Sequence, residues 1–160
     1  MAKDSLPGMT IVTQLMVSTA MVLATVLLHL GGLATLLLLI RRQASTDQRP
    51  TPGRNIAGII AAAIALFGLH GIEIWAYALL FHHVRAAPDL ETALYFSTAT
   101  YTTIGYGDVL VTKPWRIVGA IEGANGIILL GWSTAFFVGM VGRIRFVERE
   151  LEERHDIQRT

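Results

Sequence analysis

The residues with the most distinctive chemistry are 102–108 (TTIGYGD), a polar, glycine-rich segment between two strongly apolar stretches. In hydrocarbon, irregular backbone is tolerated only where it is buried in protein or lines a water-filled path. Gly105 and Gly107 alternate with larger residues, and glycine adopts positive φ values that other residues resist. Such alternation turns successive carbonyl groups to one side of the chain. Because a column of carbonyls repeated around a symmetry axis replaces the water around a bare cation, the segment predicts a cation path.

The composition predicts that this segment lies in a membrane protein. The chain has 160 residues, of which 52% are apolar and 16% charged, and its mean hydropathy is +0.51. Soluble domains carry roughly 25% charged residues. The net charge of +1 gives no indication of a strongly acidic partner, and the absence of cysteine excludes disulfides and thiolate metal sites. We therefore expect membrane lipid as the surroundings, and neither a nucleic acid partner nor a soluble substrate.

Residues 9–40 contain no Asp, Glu, Lys or Arg and predict the first membrane span. At about 20 residues per span, the stretch fits one tilted helix and is too short for two. It far exceeds the core of a secretory signal, about 7–15 residues, so we expect it to be retained. Residues 1–40 then comprise a short polar lead and a peripheral scaffold helix. His29 lies within it and is either a functional group or a neutral side chain bonded to a neighbouring helix.

A polar linker follows at residues 41–54, with four arginines and one acidic residue. The positive-inside rule places it in the cytoplasm, so the N-terminus is expected outside. The second helix is expected over residues 55–81. Voltage sensing finds no support, because the two helices before the pore carry no Arg or Lys inside their spans.

A helix too short to cross the membrane is expected at residues 90–101, with Asp89 as its N-cap. The chain then returns outward through residues 102–108. An inner helix over residues 116–141 runs inward, and the remaining residues 142–160 form a charged cytoplasmic tail, expected as a helical extension with no room for a regulatory domain. The predicted architecture is an all-α membrane protein with three transmembrane helices, a re-entrant pore helix and a filter loop.

The segment at 102–108 resembles the potassium channel signature T-V/I-G-Y-G-D. The resemblance to potassium channel pore modules covers about residues 55–141, including Tyr95-Phe96-Ser97 and the spacing to Trp115. The stretches HGIEIW and GANGIILLGWSTA resemble small prokaryotic channels with an additional N-terminal helix. The family implies a homotetramer in the cell membrane, here a bacterial inner membrane, with K⁺ as the permeant ion.

The resemblance also implies the role of each filter residue. The backbone carbonyls that it assigns to stacked sites for dehydrated K⁺ are those of Thr103, Ile104, Gly105 and Tyr106. The Thr103 hydroxyl joins them, and Thr102 ends the pore helix below the lowest site. The Tyr106 ring points away from the ion and braces the filter. Gly107 and Asp108 complete the support at the outer mouth.

One departure from the family lies behind the filter. Some members carry a carboxylate in the pore helix that partners the Asp after the GYG motif, and here that position is Ala99. Asp108 therefore needs another partner, for which Tyr95 is the candidate because its position matches an aromatic residue that does this in relatives.

Glu122 and Asn125 lie three residues apart in the inner helix, so they share a face. A charge at the bilayer centre costs about 2.5–3.5 kcal/mol, which demands compensation. Glu122 either stands behind the filter in place of the carboxylate missing at Ala99, or faces the cavity, or pairs with His70 or Arg116.

Four further groups carry alternative interpretations. His70 and Glu73 share a helix face and form either a pH-sensitive element or a packing hydrogen bond. His82 and His83 are adjacent, so loop polarity is favoured over a Zn²⁺ site. Gly126 is either a gating hinge or a close-packing residue. Phe136 either forms a hydrophobic constriction in the inner helix or packs outward.

The sequence as a whole predicts a potassium-selective channel that moves K⁺ passively and makes or breaks no bond. Two alternatives remain open. The first is a channel that passes Na⁺ and K⁺ with weak selectivity, and the second is a membrane subunit that modulates another transporter.

Overall fold

The computed structural model of the chain describes residues 10–46 and 52–157. These residues form four helices: α1 (Ile11–Thr46), α2 (Pro52–His83), α3 (Leu90–Tyr101) and α4 (Arg116–Ile157). A short 3-10 turn, Lys113–Trp115, precedes α4. No strand occurs in the two described ranges, so the predicted all-α fold is confirmed.

Three segments are long and apolar enough to cross a membrane, namely Ile11–Arg42, Asn55–His83 and Lys113–Gly142. Their mean hydropathies are 2.3, 1.9 and 1.6. By contrast, α3 has 12 residues, which at about 1.5 Å per residue cannot cross the hydrocarbon core. The structure thus has three spanning helices and one half-length helix, as the sequence predicts.

Some boundaries differ from the expected ones. Helix α1 continues into the predicted linker as far as Thr46, because that stretch contains good helix formers such as arginine, glutamine and alanine. Helix α2 begins earlier, at Pro52, a residue whose fixed φ suits the first helical position. It ends at His83, so His82 and His83 lie in its last turn and not in a loop. Helix α4 continues through the tail to Ile157, in agreement with the helical extension expected there.

Predictions for the polar lead, for residues 47–51 and for the last three tail residues fall outside the described residues. The same holds for the side chains of 143–157, including the arginines used for the orientation of the chain.

Asp89 caps the half-length helix. Its backbone is extended, and its carboxylate accepts a hydrogen bond from the Thr92 amide at 2.7 Å. This backbone hydrogen bond lowers the pKa of Asp89 below its ordinary value. The cap therefore contributes its stability above the ordinary aspartate pKa, and the contribution is lost as the pH falls through the lowered value.

An aromatic core fixes α3 between α2 and α4. Phe81 and Phe96 meet edge to face with ring centroids 5.4 Å apart, and Tyr77 stacks beside Phe81. Val111 and Val118 close this core from the fourth helix and the segment before it, and all five side chains are buried. The half-length helix is thereby held rigidly at the end of the molecule that carries the filter segment.

Helix α1 docks through a polar stripe. Its buried polar residues are spaced so that they share one face, and they are Gln14, Ser18, Thr25 and His29. This face packs against α2 and α4. Because lipid tails do not drive helices together as water does, the polar contacts identify which side of α1 faces the rest of the chain.

Candidate functional site

The filter segment has the alternating backbone that its glycines predict. Positive φ values occur at Thr103 (63°), Gly105 (55°) and Gly107 (78°), whereas the intervening Ile104 and Tyr106 are not among the positive-φ residues. A non-glycine residue in the left-handed region is uncommon and clusters at functional sites. Thr103 thus extends the alternation one step beyond the two glycines.

Backbone hydrogen bonds attach the filter to the end of α3. The amide of Thr103 donates to the Thr100 carbonyl at 3.0 Å, and the amide of Gly105 donates to the Ala99 carbonyl at 3.0 Å. The Thr102 hydroxyl donates to Thr98 at 2.7 Å. The filter therefore starts at a helix C-terminus, whose partial negative charge favours a cation.

The filter side chains are exposed in a single chain. Ile104 is 53% and Tyr106 73% exposed. The resemblance predicts that the Tyr106 ring braces the filter against the pore helix. In the single chain the ring is not packed there, so any bracing of this ring needs a contact from another chain.

Tyr95 and Asp108 meet at the outer mouth. The Tyr95 hydroxyl donates to the Asp108 carboxylate at 2.8 Å. Tyr95 is therefore the partner of Asp108, as expected from the alanine at position 99.

Replacing Tyr95 by Phe should make the filter less stable in the conducting state. The variant removes a hydrogen bond to a charged group, which contributes about 1.5–3 kcal/mol at most and less at an exposed site. We expect K⁺ current that decays faster during a sustained recording than in the wild type. Leu110→Ala, on an exposed residue of the same rim, is the control, and equal decay in Tyr95→Phe and wild type would contradict the role.

Glu122 lies against the side of α3. It is fully buried, the Ser97 hydroxyl donates to its Oε1, and its Oε2 has no partner among the described residues. The expected alternative of pairing with His70 or Arg116 is wrong, because His70 bonds to Glu73, Tyr101 and Ser133, and Arg116 donates to the Val111 carbonyl. Full burial also argues against a position facing the cavity. Glu122 therefore stands behind the pore helix and reaches it through Ser97.

Glu122→Ala should lower the free energy of unfolding by about 2–4 kcal/mol, because it leaves a cavity and removes an acceptor from a buried hydroxyl. Glu122→Gln keeps the acceptor and should lose less. Thermal unfolding of the purified protein measures both, with the exposed Glu91→Ala as control. Wild-type stability in Glu122→Ala would refute this placement, and unchanged conductance and gating in Glu122→Gln would exclude a filter-tuning role.

A polar cluster joins all four helices next to the filter; we call His29, His70, Glu73, Tyr101 and Ser133 the four-helix cluster. His29 Nδ1 and His70 Nδ1 lie 2.9 and 3.1 Å from the two oxygens of Glu73. The Tyr101 hydroxyl donates to Glu73 and lies 3.0 Å from His70 Nδ1. Ser133 Oγ lies 2.9 Å from His70 Nε2 and 3.4 Å from His29 Nε2. The predicted contact between His70 and Glu73 is thus one edge of a larger network.

Asn125 ties α1 to the inner helix. Its amide donates to the Thr25 hydroxyl at 2.8 Å and approaches the Tyr77 hydroxyl at 3.4 Å. Asn125 shares a buried helix face with Glu122, but its partners are on α1 and α2 and not on the pore helix.

The inner helix approaches α3 through small residues. A Cβ added to Gly126 would overlap the Tyr101 carbonyl oxygen, and one added to Gly119 would lie 2.8 Å from the Phe96 ring. One added to Gly123 would lie 3.3 Å from the Thr100 carbonyl oxygen. Close packing therefore accounts for Gly126 in this structure. Phe136 is only half-buried in the single chain, and its role as a constriction stays a prediction.

His82 and His83 are exposed and line an open cavity of about 670 Å³ with Arg85. Among the described residues, the group that brings three potential metal ligands together is His29, His70 and Glu73. His82 and His83 therefore face solvent at the end of α2, and the structure does not group them with a third potential metal ligand among the described residues.

Tyr101, Ser133 and Thr25 are site residues that the sequence did not single out. The available signal was their position, because polar side chains inside membrane spans almost always face the bundle interior. Ser133 lies eight residues after Asn125 and Thr25 lies four before His29, so each shares a helix face with a recognised residue. Spacing gives the face but not the partner, which is why the contacts were missed.

The comparisons with known proteins agree with this geometry. A family model described as "Ion channel" matches residues 69–143. The calcium-gated potassium channel TvoK of Thermoplasma volcanium is 42% identical over 65 residues, which are 39% of this chain and 19% of the relative. The chain thus aligns with about a fifth of the length of that curated relative. No solved structure gives a significant match.

The matched region contains the half-length helix, the filter segment and most of the inner helix. Its extent agrees with the resemblance read from the sequence. Residues 69–143 are therefore similar to the pore region of ion channels, and the relative that matches in this region is a prokaryotic potassium channel.

Proposed function

We propose that the chain forms a homotetrameric channel that conducts K⁺ selectively and passively across a membrane. The observation that carries the proposal is the alternation of positive φ at Thr103, Gly105 and Gly107. This backbone follows the half-length helix α3, and its amide groups donate hydrogen bonds to carbonyls at the C-terminus of that helix. Carbonyl groups turned to one side on such a backbone replace the hydration shell of K⁺.

The proposed ion ligands are the carbonyls of Thr103, Ile104, Gly105 and Tyr106. Thr102 anchors the lower end of this column through its bond to α3, and Gly107 provides the turn at the upper end. Asp108 and Tyr95 hold the outer mouth through their hydrogen bond.

Four chains are proposed because one filter segment cannot enclose an ion. Closed symmetry around the path requires several copies, and the filter of the family has four. The exposure of Ile104 and Tyr106 supports this arrangement, since large apolar side chains at a functional centre need cover. In the tetramer the Tyr106 ring packs against a neighbouring chain.

The proposed orientation has the N-terminus outside and the C-terminus in the cytoplasm. The arginines that follow the first and third spans, Arg41, Arg42, Arg143 and Arg145, support it by the positive-inside rule. The cell membrane is the proposed location, a bacterial inner membrane by resemblance.

The inner helix and the buried polar groups are proposed to tune gating. Gly126 sets the distance between the inner helix and the end of the pore helix, and Phe136 lies two to three turns below it as the constriction. Glu122 acts on the filter through Ser97. Asn125, His70 and Glu73 couple these elements to α1 and α2.

Two measurements on the purified chain test the proposal. Vesicles loaded with K⁺ should lose it when an ionophore carries the balancing charge, and the intact particle should have four times the chain mass. A particle with one or two copies of this filter beside a different protein would instead support a modulatory subunit. Tetramers that pass no cation would contradict channel function.

A further inference from the structure

The four-helix cluster has the donor atoms of a transition-metal site. His29, His70 and Glu73 each present a ligand atom, and these atoms lie within 4.8 Å of one another. The Tyr101 oxygen lies 3.0 Å from His70 Nδ1 and bonds to Glu73, which makes it a fourth donor. Ligands about 2.0–2.2 Å from Zn²⁺ stand about 3.3–3.6 Å apart in a tetrahedron. The hydrogen-bonded pairs at 2.9 and 3.1 Å must therefore move slightly apart, and the more widely spaced ligand atoms must move closer, for the ion to bind.

The two imidazole rings present the same nitrogens to the same partners. Each turns Nδ1 toward Glu73 and Nε2 toward Ser133. Metal-binding histidines characteristically bind the ion with one nitrogen and donate the other N–H to an oxygen that fixes the ring. A hydroxyl oxygen has two lone pairs, so Ser133 accepts from both rings at once.

The proton count of the cluster is compatible with an ion. A neutral imidazole carries one N–H, and with both of these protons at Nδ1 against Glu73, both Nε2 atoms turn to the single hydroxyl proton of Ser133. A further proton on one imidazole, or an ion at the two Nδ1 atoms, removes this competition. With the ion bound, each imidazole carries its proton at Nε2 and donates it to Ser133.

The net charge of the occupied site is zero. A divalent ion with the Glu73 carboxylate and the Tyr101 phenolate is neutral, as a site among membrane helices requires. The phenol proton of Tyr101 leaves to water when the ion binds, as is usual for metal ligands that must be deprotonated. His70, whose side chain is 12% exposed, provides the edge through which the ion enters.

We propose that His29, His70, Glu73 and Tyr101 form an intramembrane binding site for a zinc-class divalent transition-metal ion, with Ser133 as the positioning residue for both imidazoles. The site joins α1 and α2 to Tyr101, the last residue of the pore helix. The bound ion therefore fixes the first helix to the base of the filter. This site is independent of the K⁺ path, and its occupancy is measurable without any ion flux.

The test is metal content and Co²⁺ spectroscopy on the full-length wild-type protein. Protein purified from cells grown with added Zn²⁺ should retain about one Zn²⁺ per chain. After chelation and replacement with Co²⁺, it should show the strong visible absorption of a tetrahedral nitrogen–oxygen site. Ser133→Ala should weaken Co²⁺ binding about 10–100-fold, as loss of a ring-orienting partner does.

Variants separate this site from adventitious binding. His82→Ala/His83→Ala, on the exposed end of α2, should retain the ion and the spectrum, whereas His29→Ala/His70→Ala should lose both. Tyr101→Phe should weaken binding and shift the Co²⁺ absorption bands because it removes the phenolate ligand.

Wild-type protein without retained Zn²⁺ and without a Co²⁺ spectrum would overturn the proposal. It would indicate that the four-helix cluster is a hydrogen-bond network that binds no metal ion. Signals lost in His82→Ala/His83→Ala would overturn it as well. If the double variant of the cluster fails to fold, the wild-type metal content and the Tyr101→Phe spectrum still decide. Metal content and the Co²⁺ spectrum are measured without K⁺ flux. A negative result for the metal site is therefore distinguishable from a negative result for the channel proposal.

Discussion

Gly105→Ala should abolish K⁺-selective current. Gly105 has a φ of +55°, and an L-residue in the left-handed region costs about 1–2 kcal/mol. Four copies meet around one ion path in the proposed tetramer, so the strain sums to roughly 4–8 kcal/mol. No atom obstructs a Cβ within 4 Å in the single chain, so the effect comes from the backbone conformation and not from a local clash.

The matched control is Gly58→Ala, a glycine on α2 with an ordinary helical backbone and nothing within 4 Å of an added Cβ. This variant should assemble and conduct like the wild type, because alanine favours helix more than glycine does. Single-channel recording on reconstituted protein compares the two. Full K⁺ current with unchanged selectivity in Gly105→Ala would contradict the role of this backbone.

Gly126→Ala should disrupt the contact between the inner helix and the end of the pore helix. An added Cβ overlaps the Tyr101 carbonyl oxygen and lies 2.9 Å from Tyr101 Cγ. The obstructing atoms are backbone and the root of a fully buried ring, so neither can move aside cheaply. Overpacking of this kind costs about 1–3 kcal/mol per chain. We expect lower thermal stability of the assembly and reduced K⁺ current.

Gly131→Ala is a control on the same helix, since nothing lies within 4 Å of its added Cβ. It should match or slightly exceed the wild type in stability. Thermal unfolding and chemical cross-linking of both variants measure the difference. A Gly126→Ala protein as stable and as conductive as Gly131→Ala would show that the helices can separate without cost, which favours the hinge over close packing.

The parts of the molecule predicted from sequence are those determined by local chemistry. The start of α3 follows from Asp89, whose carboxylate caps the helix within one turn. The filter conformation follows from the alternation of Gly105 and Gly107 with larger residues. The spans follow from long, predominantly apolar stretches, and only their ends differ, as where polar helix formers extend α1.

The contacts that could not be predicted join residues far apart in sequence. Asn125 bonds to Thr25, 100 residues away, and Tyr101 bonds to Glu73, 28 residues away. Helical periodicity places each residue on a face, but the packing of four helices decides which faces meet. The sequence therefore left three alternatives for Glu122, and the structure places it against Ser97 of the pore helix, a contact that none of the three named.

The first helix takes part in the site more closely than a peripheral scaffold would. His29 reaches Glu73, and through it the residue directly before the filter segment. A shift of α1 would therefore act on Tyr101 without any intervening loop. This short path connects the polar stripe on α1 to the start of the filter segment.

The most direct test of the central claim is the reversal potential of the reconstituted wild-type protein in opposed K⁺ and Na⁺ gradients. A filter of four carbonyl columns predicts a reversal potential close to the K⁺ equilibrium potential. A reversal potential near zero under the same gradients, with K⁺ and Na⁺ passing about equally, would contradict it.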